Sequence, residues 1–246
     1  GAIEPAREAF GTAIEAARSI GDAELFARAA LGYTGRTDVT PGVNRVAVAL
    51  LEEALALLPN GDGALRAEAT ARLGTELYFE SGPSRSDALT RDALAMAERV
   101  GSLDLVAYAC SCRHFARLRV DVDPRSRLPI TERQIELAER CGPSEVLALG
   151  HQERFLDFVE MGEGGRLEHA YFAFERVVHR VRQPFFQWTL GLFHGLRALL
   201  AGRIDEAERL AHEALAIGQS VGTPNALGAF SAQIFAIRRE QGRIAE

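Results

Sequence analysis

Apolar residues recur along the chain at helical spacing, in stretches that end at glycine. In the first stretch, apolar side chains three or four positions apart form one helical face. They are Ile3, Ala6, Phe10, Ala13, Ile14, Ala17 and Ile20. The same register returns at 47–58, 170–181 and 207–215. No strand pattern of useful length competes, so the sequence predicts an all-α protein.

Glycine directly after an apolar stretch marks where a helix ends. Five such glycines are spaced regularly, and a sixth position falls at Gln183 in the segment RQP. The glycines are Gly21, Gly61, Gly101, Gly142 and Gly222. With Gln183 included, each position follows the one before it by about 40 residues, and a fixed period of this length is typical of a solenoid built from repeated helix pairs.

Each period contains two helices, of which helix B precedes the glycine and helix A follows it. We expect about twelve helices, beginning with a B helix at 4–20. The A helices are predicted at 23–34, 63–80, 103–119, 144–161, 184–201 and 224–241. The last A helix carries apolar residues without a following B helix to cover them. We therefore expect self-association through 224–241.

The segment WTLGLFHGLRALLAGRIDEAERLAHEALAI resembles the tetratricopeptide repeat. Small residues stand where that family has them, at Gly195, Ala198, Gly202, Ala207, Ala211 and Ala214. Further matches are the aromatic position of helix B at Phe10 and Phe174 and the helix A dipeptide at Leu31-Gly32 and Leu73-Gly74. The period is longer than the family's, and the family's tryptophan and tyrosine signature in helix A is absent. The resemblance implies an α-solenoid, a right-handed superhelix of antiparallel helix pairs.

Arginine-rich phrases such as GRIDEAERLAHEALAIGQ and PNALGAFSAQIFAIRREQGRIAE look like the C-terminal helical region of large bacterial regulators. Those are LuxR-type or cyclase-linked signal-transduction ATPases, in which a nucleotide-binding domain precedes a tetratricopeptide-like array. The resemblance implies that residues 1–246 form a single solenoid domain belonging to a longer multidomain regulator. It also implies that the partners are a protein, a peptide or other domains of that regulator.

Composition excludes several classes of function. All 28 basic residues are arginine, so the lysine-dependent sites of P-loop proteins and Schiff-base enzymes cannot be built. The net charge of −6 and the lack of a basic run argue against direct nucleic-acid binding. No apolar stretch is long enough to span a membrane. We expect a cytoplasmic protein with Cys110, Cys112 and Cys141 as reduced core thiols.

Candidate chemistry is sparse along this chain. The six histidines include no pair at i, i+4 with a carboxylate on the same face, so we expect no metal, no cofactor and no catalytic residues. Asp38, Asp121 and Asp123 lie in the two longest connections, where turn and capping roles are more common than metal binding. His151 and Arg154 interrupt the apolar face of their A helix, and we interpret them as a satisfied, partly buried pair.

A row of arginines is a further candidate. Arg113 and Arg154 stand one repeat interval apart, as Gly101 and Gly142 do. They are therefore expected on successive A helices, with Arg117 one turn beyond Arg113. Such a row suits the carboxylates of a peptide, or a phosphate. The alternative is that the arginines pair internally with Glu153 or Asp157.

The fifth predicted A helix is apolar nearly all round, so every side of it must be covered. On this helix Leu192, Leu196 and Leu199 form a stripe that the repeat family turns toward its concave surface. Phe155 continues the stripe on the preceding A helix, and His114 extends it one repeat further with a polar end. We predict an apolar groove along these residues for an amphipathic helix or a small hydrophobic ligand. The alternative is that the stripe is core.

Three functions are open at this point. The leading hypothesis is a non-catalytic scaffold that binds a protein or peptide in transcriptional or signalling regulation. The second is a small-molecule sensor that holds an inducer on the concave face of the solenoid. An all-helical enzyme is the least favoured hypothesis, because no acid–base or metal constellation emerges.

Overall fold

A computed structural model describes residues 3–36, 42–80, 83–142 and 144–244. These ranges contain twelve α-helices, two short 3-10 helices and no strand, so the expected all-α fold is confirmed. The α-helices are α1 Ile3–Ile20, α2 Ala23–Thr34, α3 Arg45–Leu57, α4 Ala64–Glu76, α5 Pro83–Val100, α6 Leu103–Ala116, α7 Leu128–Cys141, α8 Glu145–Met161, α9 Gly164–Val181, α10 Pro184–Leu200, α11 Ile204–Val221 and α12 Ala226–Glu240. The 3-10 helices are Leu77–Phe79 and Pro124–Ser126. Within the described ranges, no helix combines the length and the apolar composition needed to cross a bilayer.

The predicted A helices correspond to the even-numbered helices, and most of their ends agree closely with the prediction. The clearest differences are at two C-terminal ends. Helix α4 was expected to reach 80 and ends at Glu76, where the 3-10 helix Leu77–Phe79 follows, and α6 was expected to reach 119 and ends at Ala116. Beyond the end of α6, side chains bond to backbone carbonyl groups. The Tyr78 hydroxyl donates to the carbonyl of Leu118, and Arg127 donates to the carbonyl of Arg117 at 3.4 Å. These bonds replace helical donors, so the chain can turn there.

A residue with positive φ follows each odd-numbered helix, and these residues are Gly21, Gly61, Gly101, Gly142, Arg182 and Gly222. Glycines with positive φ also follow α2, α8, α10 and α12. The sixth position was expected at Gln183, and the structure places it at the preceding residue. Arg182 has φ 56° and is the one non-glycine residue with positive φ in the described part of the chain. Because this region suits glycine, Arg182 keeps a strained backbone where the other turns do not.

Side-chain caps define the starts of several helices. Asp22, Asn44 and Ser144 precede α2, α3 and α8, and each side-chain oxygen accepts a hydrogen bond from the backbone N–H three positions on. The distances are 2.9, 3.1 and 3.2 Å. Each cap satisfies a backbone donor that the helix leaves free, so short polar residues mark these boundaries in the sequence.

Residues Glu4–Ala170 form one compact unit. From α2 to α8 each helix packs against the next, and the even-numbered helices also pack against one another in order. The even-numbered helices therefore form one layer, and α3, α5 and α7 each bridge two of its members. Ile14 and Ala17 attach α1 through a buried cluster that includes Phe26 of α2.

A second compact unit contains the chain from Tyr171 onward. In it α10 packs against α11, α11 packs against α12, and α10 also touches α12. Four buried residues lie where these helices meet: Ala198, Ala207, Ala211 and Ile237. A Cβ added at Gly191 of α10 would lie 3.4 Å from the Cβ of Ala214. Small residues thus allow α10 and α11 to approach closely.

The three cysteines do not share one environment. Cys110 and Cys112 are buried in α6, and burial raises the pKa of the Cys110 thiol to about 12. Cys141 is exposed at the last position of α7. The expectation of a core position is therefore wrong for Cys141, because the helix ends there and turns its final side chain to solvent.

Replacing Arg182 by glycine should stabilise the protein. A non-glycine residue in the left-handed region costs about 1–2 kcal/mol, and the greater freedom of glycine in the unfolded chain offsets part of the gain. We expect Arg182→Gly to raise the free energy of unfolding by up to about 1 kcal/mol in urea denaturation. Arg180→Gly, in the last turn of α9, is the control and should lower it by about 1 kcal/mol. Equal losses for both variants would contradict strain at Arg182.

Candidate functional site

The residues of the predicted groove fall into two settings. His114 on α6 and Phe155 on α8 are 1% and 0% exposed, so both lie in the interior rather than on a groove surface. Leu192, Leu196 and Leu199 on α10 are partly exposed. Of the five residues, only the leucines are placed where a partner could touch them, and binding by them stays a prediction.

Two arginines of the predicted row have partners close to α6. Arg113 donates to the Asp87 carboxylate at 2.6 Å and to the Asp87 carbonyl at 2.9 Å. Arg117, just beyond the end of α6, donates to the hydroxyl of Ser126 at 3.1 Å. Both guanidinium groups thus bond to neighbouring segments of the same unit.

The third arginine of the row lies on α8. An Nη atom of Arg154 is 3.1 Å from Nδ1 of His151, so the predicted contact is present, but the pair is not fully satisfied because the buried Nε of Arg154 has no hydrogen-bond partner among the described residues. His151 is buried and Arg154 is partly buried. The alternative that the arginines of the row pair with Glu153 or Asp157 is wrong, because both carboxyl groups bond to other side chains.

Asp157 of α8 is the centre of a buried network that joins α6, α7 and α8. Its carboxylate lies 3.0 Å from Nε2 of His114 and accepts a hydrogen bond from Nε of Arg127 at 2.8 Å. Arg127, at the start of α7, also donates to Glu160 at 2.6 Å. The side chains of Asp157 and Arg127 are both 0% exposed. Because a buried charge must be paired and hydrogen-bonded, these contacts fix the three helices relative to one another.

Glu153, one turn before Asp157 on α8, is a second buried carboxyl group. One of its oxygens accepts a hydrogen bond from the Ser111 hydroxyl at 2.6 Å, and the other lies 3.9 Å from Nδ1 of His114. Burial raises the pKa of Glu153 to about 7, against the opposing effects of the His114 charge and the Ser111 hydrogen bond. Glu153 therefore changes its protonation near neutral pH.

His114 lies between the two buried carboxyl groups. Burial acts to lower the pKa of His114, but the charges of Glu153 and Asp157 outweigh it, and the pKa is raised. The protonation of His114 and that of Glu153 are therefore coupled to each other. All of them are in the interior, so a substrate has no access to them. The arrangement suits helix packing and pH-dependent stability better than catalysis.

Sequence reasoning missed Arg127 and Ser111. Arg127 lies in the segment DVDPRSRLPITERQ, which fits the repeat pattern weakly, so the register does not predict its partner. The sequence spacing of Ser111 and Glu153 gives a weak indication that the two residues are in contact. These two residues are 42 positions apart, close to the period seen in the glycines.

A second polar cluster lies between α9 and α10 in the unit from Tyr171 onward. The Tyr171 hydroxyl donates to Glu175 at 2.7 Å and lies 2.7 Å from Nε2 of His194. The guanidinium of Arg197 lies over the Tyr171 ring, 3.7 Å from its centroid. Burial lowers the pKa of His194, in spite of the nearby carboxylate. His194 and Glu175 are partly exposed, so a ligand could reach these polar groups.

The acidic loop residues have structural roles where they are described. Asp123 accepts a hydrogen bond from the backbone N–H of Arg125 at 2.9 Å, and Asp121 pairs with Arg119 at 2.7 Å. The capping interpretation is confirmed for Asp123, whereas Asp38 lies outside the described residues. Among the described residues, no group of three or more His, Cys, Asp or Glu side chains is arranged to hold a metal ion.

Comparison with known proteins adds no assignment. No family model matches the chain, and no curated protein matches it significantly. A function for this chain must therefore be inferred from its own residues and their geometry.

Removing Arg127 should destabilise the first unit strongly. Arg127→Ala leaves Asp157 as a poorly compensated charge in the interior, and we expect a loss of about 3–5 kcal/mol in the free energy of unfolding. The control is Arg133→Ala, which removes an exposed ion pair with Glu98 and should cost less than about 1 kcal/mol. Urea denaturation measures both, and comparable losses would contradict a special role for the buried network.

The stability of the protein should fall as pH rises through neutrality. The folded-state pKa values of Glu153 and His114 are both raised, so the folded state holds these protons more tightly than the unfolded chain. Their stabilisation is complete at low pH and is lost as pH rises, from about 4.5 to 7 for Glu153 and above 6.5 for His114. Each proton contributes a slope of at most about 1.4 kcal/mol per pH unit.

Glu153→Gln tests this dependence, because the amide cannot ionise but can still accept the hydrogen bond from Ser111. We expect the free energy of unfolding to depend less on pH between pH 5 and 8 than it does in the wild type, as measured in urea titrations at constant salt. Glu139→Gln, an exposed change on α7, is the control and should keep the wild-type slope. Identical slopes for wild type and Glu153→Gln would rule out Glu153 as the titrating group.

Proposed function

We propose that this chain is a TPR-like α-solenoid that binds a protein or peptide and has no catalytic activity of its own. The solenoid would be a right-handed superhelix of antiparallel helix pairs with a period of about 40 residues. Two features of the fold support the repeat. The even-numbered helices from α2 to α8 pack on one another in order. Residues with positive φ also follow the odd-numbered helices at nearly constant intervals.

The setting we propose is a bacterial, cytoplasmic regulator of the LuxR-type or cyclase-linked ATPase class. This part of the proposal rests on the repeated arginine-rich phrases of the sequence and on their resemblance to that class. In such a regulator the array would transmit the binding of a partner to other domains of the same protein. Direct contact with nucleic acid or membrane is not part of the proposal.

The observation that carries the binding function is the stripe of Leu192, Leu196 and Leu199 on α10. These leucines stay partly exposed on a helix whose other long apolar side chains are mostly buried. Their spacing of i, i+4 and i+7 is the spacing with which a helix presents a continuous apolar strip. An amphipathic helix or an extended apolar peptide is the partner that such a strip fits.

A small-molecule sensor is the alternative function. Its support is the cluster of Tyr171, Glu175, His194 and Arg197, in which the Tyr171 hydroxyl lies 2.7 Å from both Glu175 and His194. His194 and Glu175 remain partly exposed. Convergent polar groups beside apolar surface are typical of sites for small ligands. In this alternative the inducer would occupy the concave face of the solenoid.

The absence of catalysis is also part of the proposal. It is supported by the buried network around Asp157, where the strongest acid–base groups of the first unit pair with one another in the interior. His114, Glu153 and Asp157 are all buried. Groups so placed cannot exchange protons directly with a bound substrate.

The combined change Leu192→Glu and Leu196→Glu tests the stripe. The probe is a helical peptide selected on the wild-type chain from a displayed library of amphipathic sequences, and fluorescence anisotropy gives its dissociation constant. We expect retained helicity and at least about a hundredfold weaker binding, because two desolvated leucine contacts are lost. Leu200→Glu, an exposed position on the same helix, should leave binding unchanged.

Two outcomes would overturn the proposal. A collapse of several kcal/mol in the free energy of unfolding would show that the leucines are core. Unchanged peptide affinity in the folded double variant would place the binding surface elsewhere. Stoichiometric binding of a small apolar fluorophore that is lost in the same variant, without any peptide binding, would favour the sensor.

A further inference from the structure

The last two turns of α9 and the residue after them carry a group of cationic side chains. They are Arg176, His179, Arg180 and Arg182, and all four are exposed. Phe172, one turn before Arg176 on the same side of the helix, is 48% exposed. We call these five residues the α9 basic face. Valines stand between the cations in the sequence, so no continuous basic run is visible there, and the helix gathers them onto one side.

None of these four cationic side chains forms an ion pair or a side-chain hydrogen bond with another described residue. The ends of other odd-numbered helices differ. Arg18 of α1 bonds to Glu53 at 2.8 and 3.0 Å, and Arg99 of α5 bonds to Asp62 at 2.6 and 2.8 Å. Helices α3 and α11 have no basic residue in their last turn. One cation at a helix C-terminus complements the helix dipole, but several unpaired cations repel one another, so helix stability does not account for this group.

The backbone of Arg182 is a second, independent observation. Its φ of 56° stands at a turn position that glycine occupies after the other odd-numbered helices. Strained residues of this kind cluster at binding sites, where the side chain is needed in spite of the strain. The guanidinium of Arg182 is exposed and bonds to no described residue, so no contact within the described structure explains why arginine stands there. The strain therefore points to a binding role for this side chain.

Acidic residues are missing from this part of the sequence. No Asp or Glu stands between Arg176 and Ile204. Glu175, the nearest carboxylate along the chain, accepts a hydrogen bond from the Tyr171 hydroxyl at 2.7 Å and lies 3.9 Å from Nε2 of His194, so it is engaged toward α10. The α9 basic face is thus a local surplus of positive charge on a chain whose net charge is −6. Such a surplus is the electrostatic complement of an acidic ligand.

The spacing of the arginines fits an extended acidic peptide. Arg176 and Arg180 are one helical turn apart, so their side chains start about 6 Å from each other. In an extended chain, side chains two positions apart point to the same side and are separated by about 6.6 Å. Carboxylates at alternate positions can therefore each meet one guanidinium, whose planar fork binds a carboxylate through two hydrogen bonds. Phe172 offers an apolar contact at one end of such a peptide.

We propose that the α9 basic face binds a short acidic peptide segment in extended conformation, with alternate carboxylates paired to Arg176 and Arg180 and with Arg182 as a third cation. Salt screens charges beyond about 8–10 Å, so a short segment experiences mainly the local positive charge. A long polyanion such as nucleic acid would extend past the face onto a chain of negative net charge. The face lies on a different helix from the leucine stripe of α10, and its binding does not depend on that stripe.

Fluorescence anisotropy with a synthetic peptide tests the charge complementarity. The probe alternates glutamate and alanine, ends in phenylalanine and carries an uncharged fluorophore, and the same peptide with glutamine in place of glutamate is the reference. We expect the glutamate peptide to bind at least about tenfold more tightly than the reference, because its carboxylates form charge-assisted hydrogen bonds. The combined change Arg176→Glu and Arg180→Glu should weaken its binding at least about tenfold. Equal affinities of the two peptides for the wild-type chain would overturn the proposal.

The matched control is the combined change Arg133→Glu and Arg140→Glu on α7, which alters the net charge by the same amount at two exposed positions. It should leave the affinity for the glutamate peptide within about twofold of the wild type, because these positions lie outside the face. Circular dichroism verifies that each variant is folded. Equal weakening by both double variants would show a general effect of net charge and would overturn binding at α9.

Arg182→Gly separates binding from folding. The change relieves the strained backbone, so the variant should be at least as stable as the wild type in urea and should still bind the glutamate peptide about threefold more weakly, because one charged contact is lost. A loss of affinity in a variant of undiminished stability cannot come from unfolding. Unchanged affinity in Arg182→Gly would contradict the proposed third cation. A single-stranded oligonucleotide with the same charge as the peptide is the last comparison, and tighter binding of it that is lost in the α9 double variant would overturn the peptide assignment in favour of nucleic acid.

Discussion

Asp157 imposes the strongest physical constraint on the first unit, because its carboxylate has no exposure to water and must be compensated inside the protein. Arg127 and His114 supply that compensation from two other segments, at 2.8 and 3.0 Å. An uncompensated charge in this position would cost several kcal/mol. These contacts therefore hold the start of α7, the end of α6 and the second half of α8 in one arrangement. The surrounding helices pack around that arrangement.

Apolar packing alone would restrain these helices less specifically. The buried residues of these helices include several alanines, which allow helices to approach but give few directional contacts. Ala107, Ala109, Ala138 and Ala148 are all buried. Such surfaces can slide with little change in buried area, whereas an ion pair tolerates little displacement. The polar network thus supplies the register that the alanine-rich core lacks.

The helices could be predicted from the sequence because their signals are local. Asp22, Asn44 and Ser144 mark helix starts, and glycines mark ends at regular intervals, so boundaries follow from neighbouring residues. Arg182 shows where this reasoning stops. Its left-handed conformation is required by the position in the fold and not favoured by its own residue type. The turn could be located to the neighbouring residue, but its strain could not be foreseen.

The candidate site could be predicted only in part, for a similar reason. The three leucines of α10 were placed correctly at a partly exposed position because helical periodicity governs them. His114 and Phe155 were assigned to the same groove by spacing alone, and their burial depends on neighbours that spacing does not identify. Arg127 belongs to a segment with weak repeat character, so its partner Asp157 became apparent only in three dimensions. Residues whose roles depend on long-range partners lie beyond a single-sequence reading.

The second unit places its polar cluster differently from the first. In that cluster His194 and Glu175 are partly exposed, beside the buried Tyr171. In the first unit the comparable titratable groups are buried and paired with one another. A paired, buried group has already used its bonding capacity inside the chain, whereas a half-exposed one can still exchange water for a ligand. This difference makes the part from Tyr171 onward the better place for recognition, and the network around Asp157 the better place for structural support.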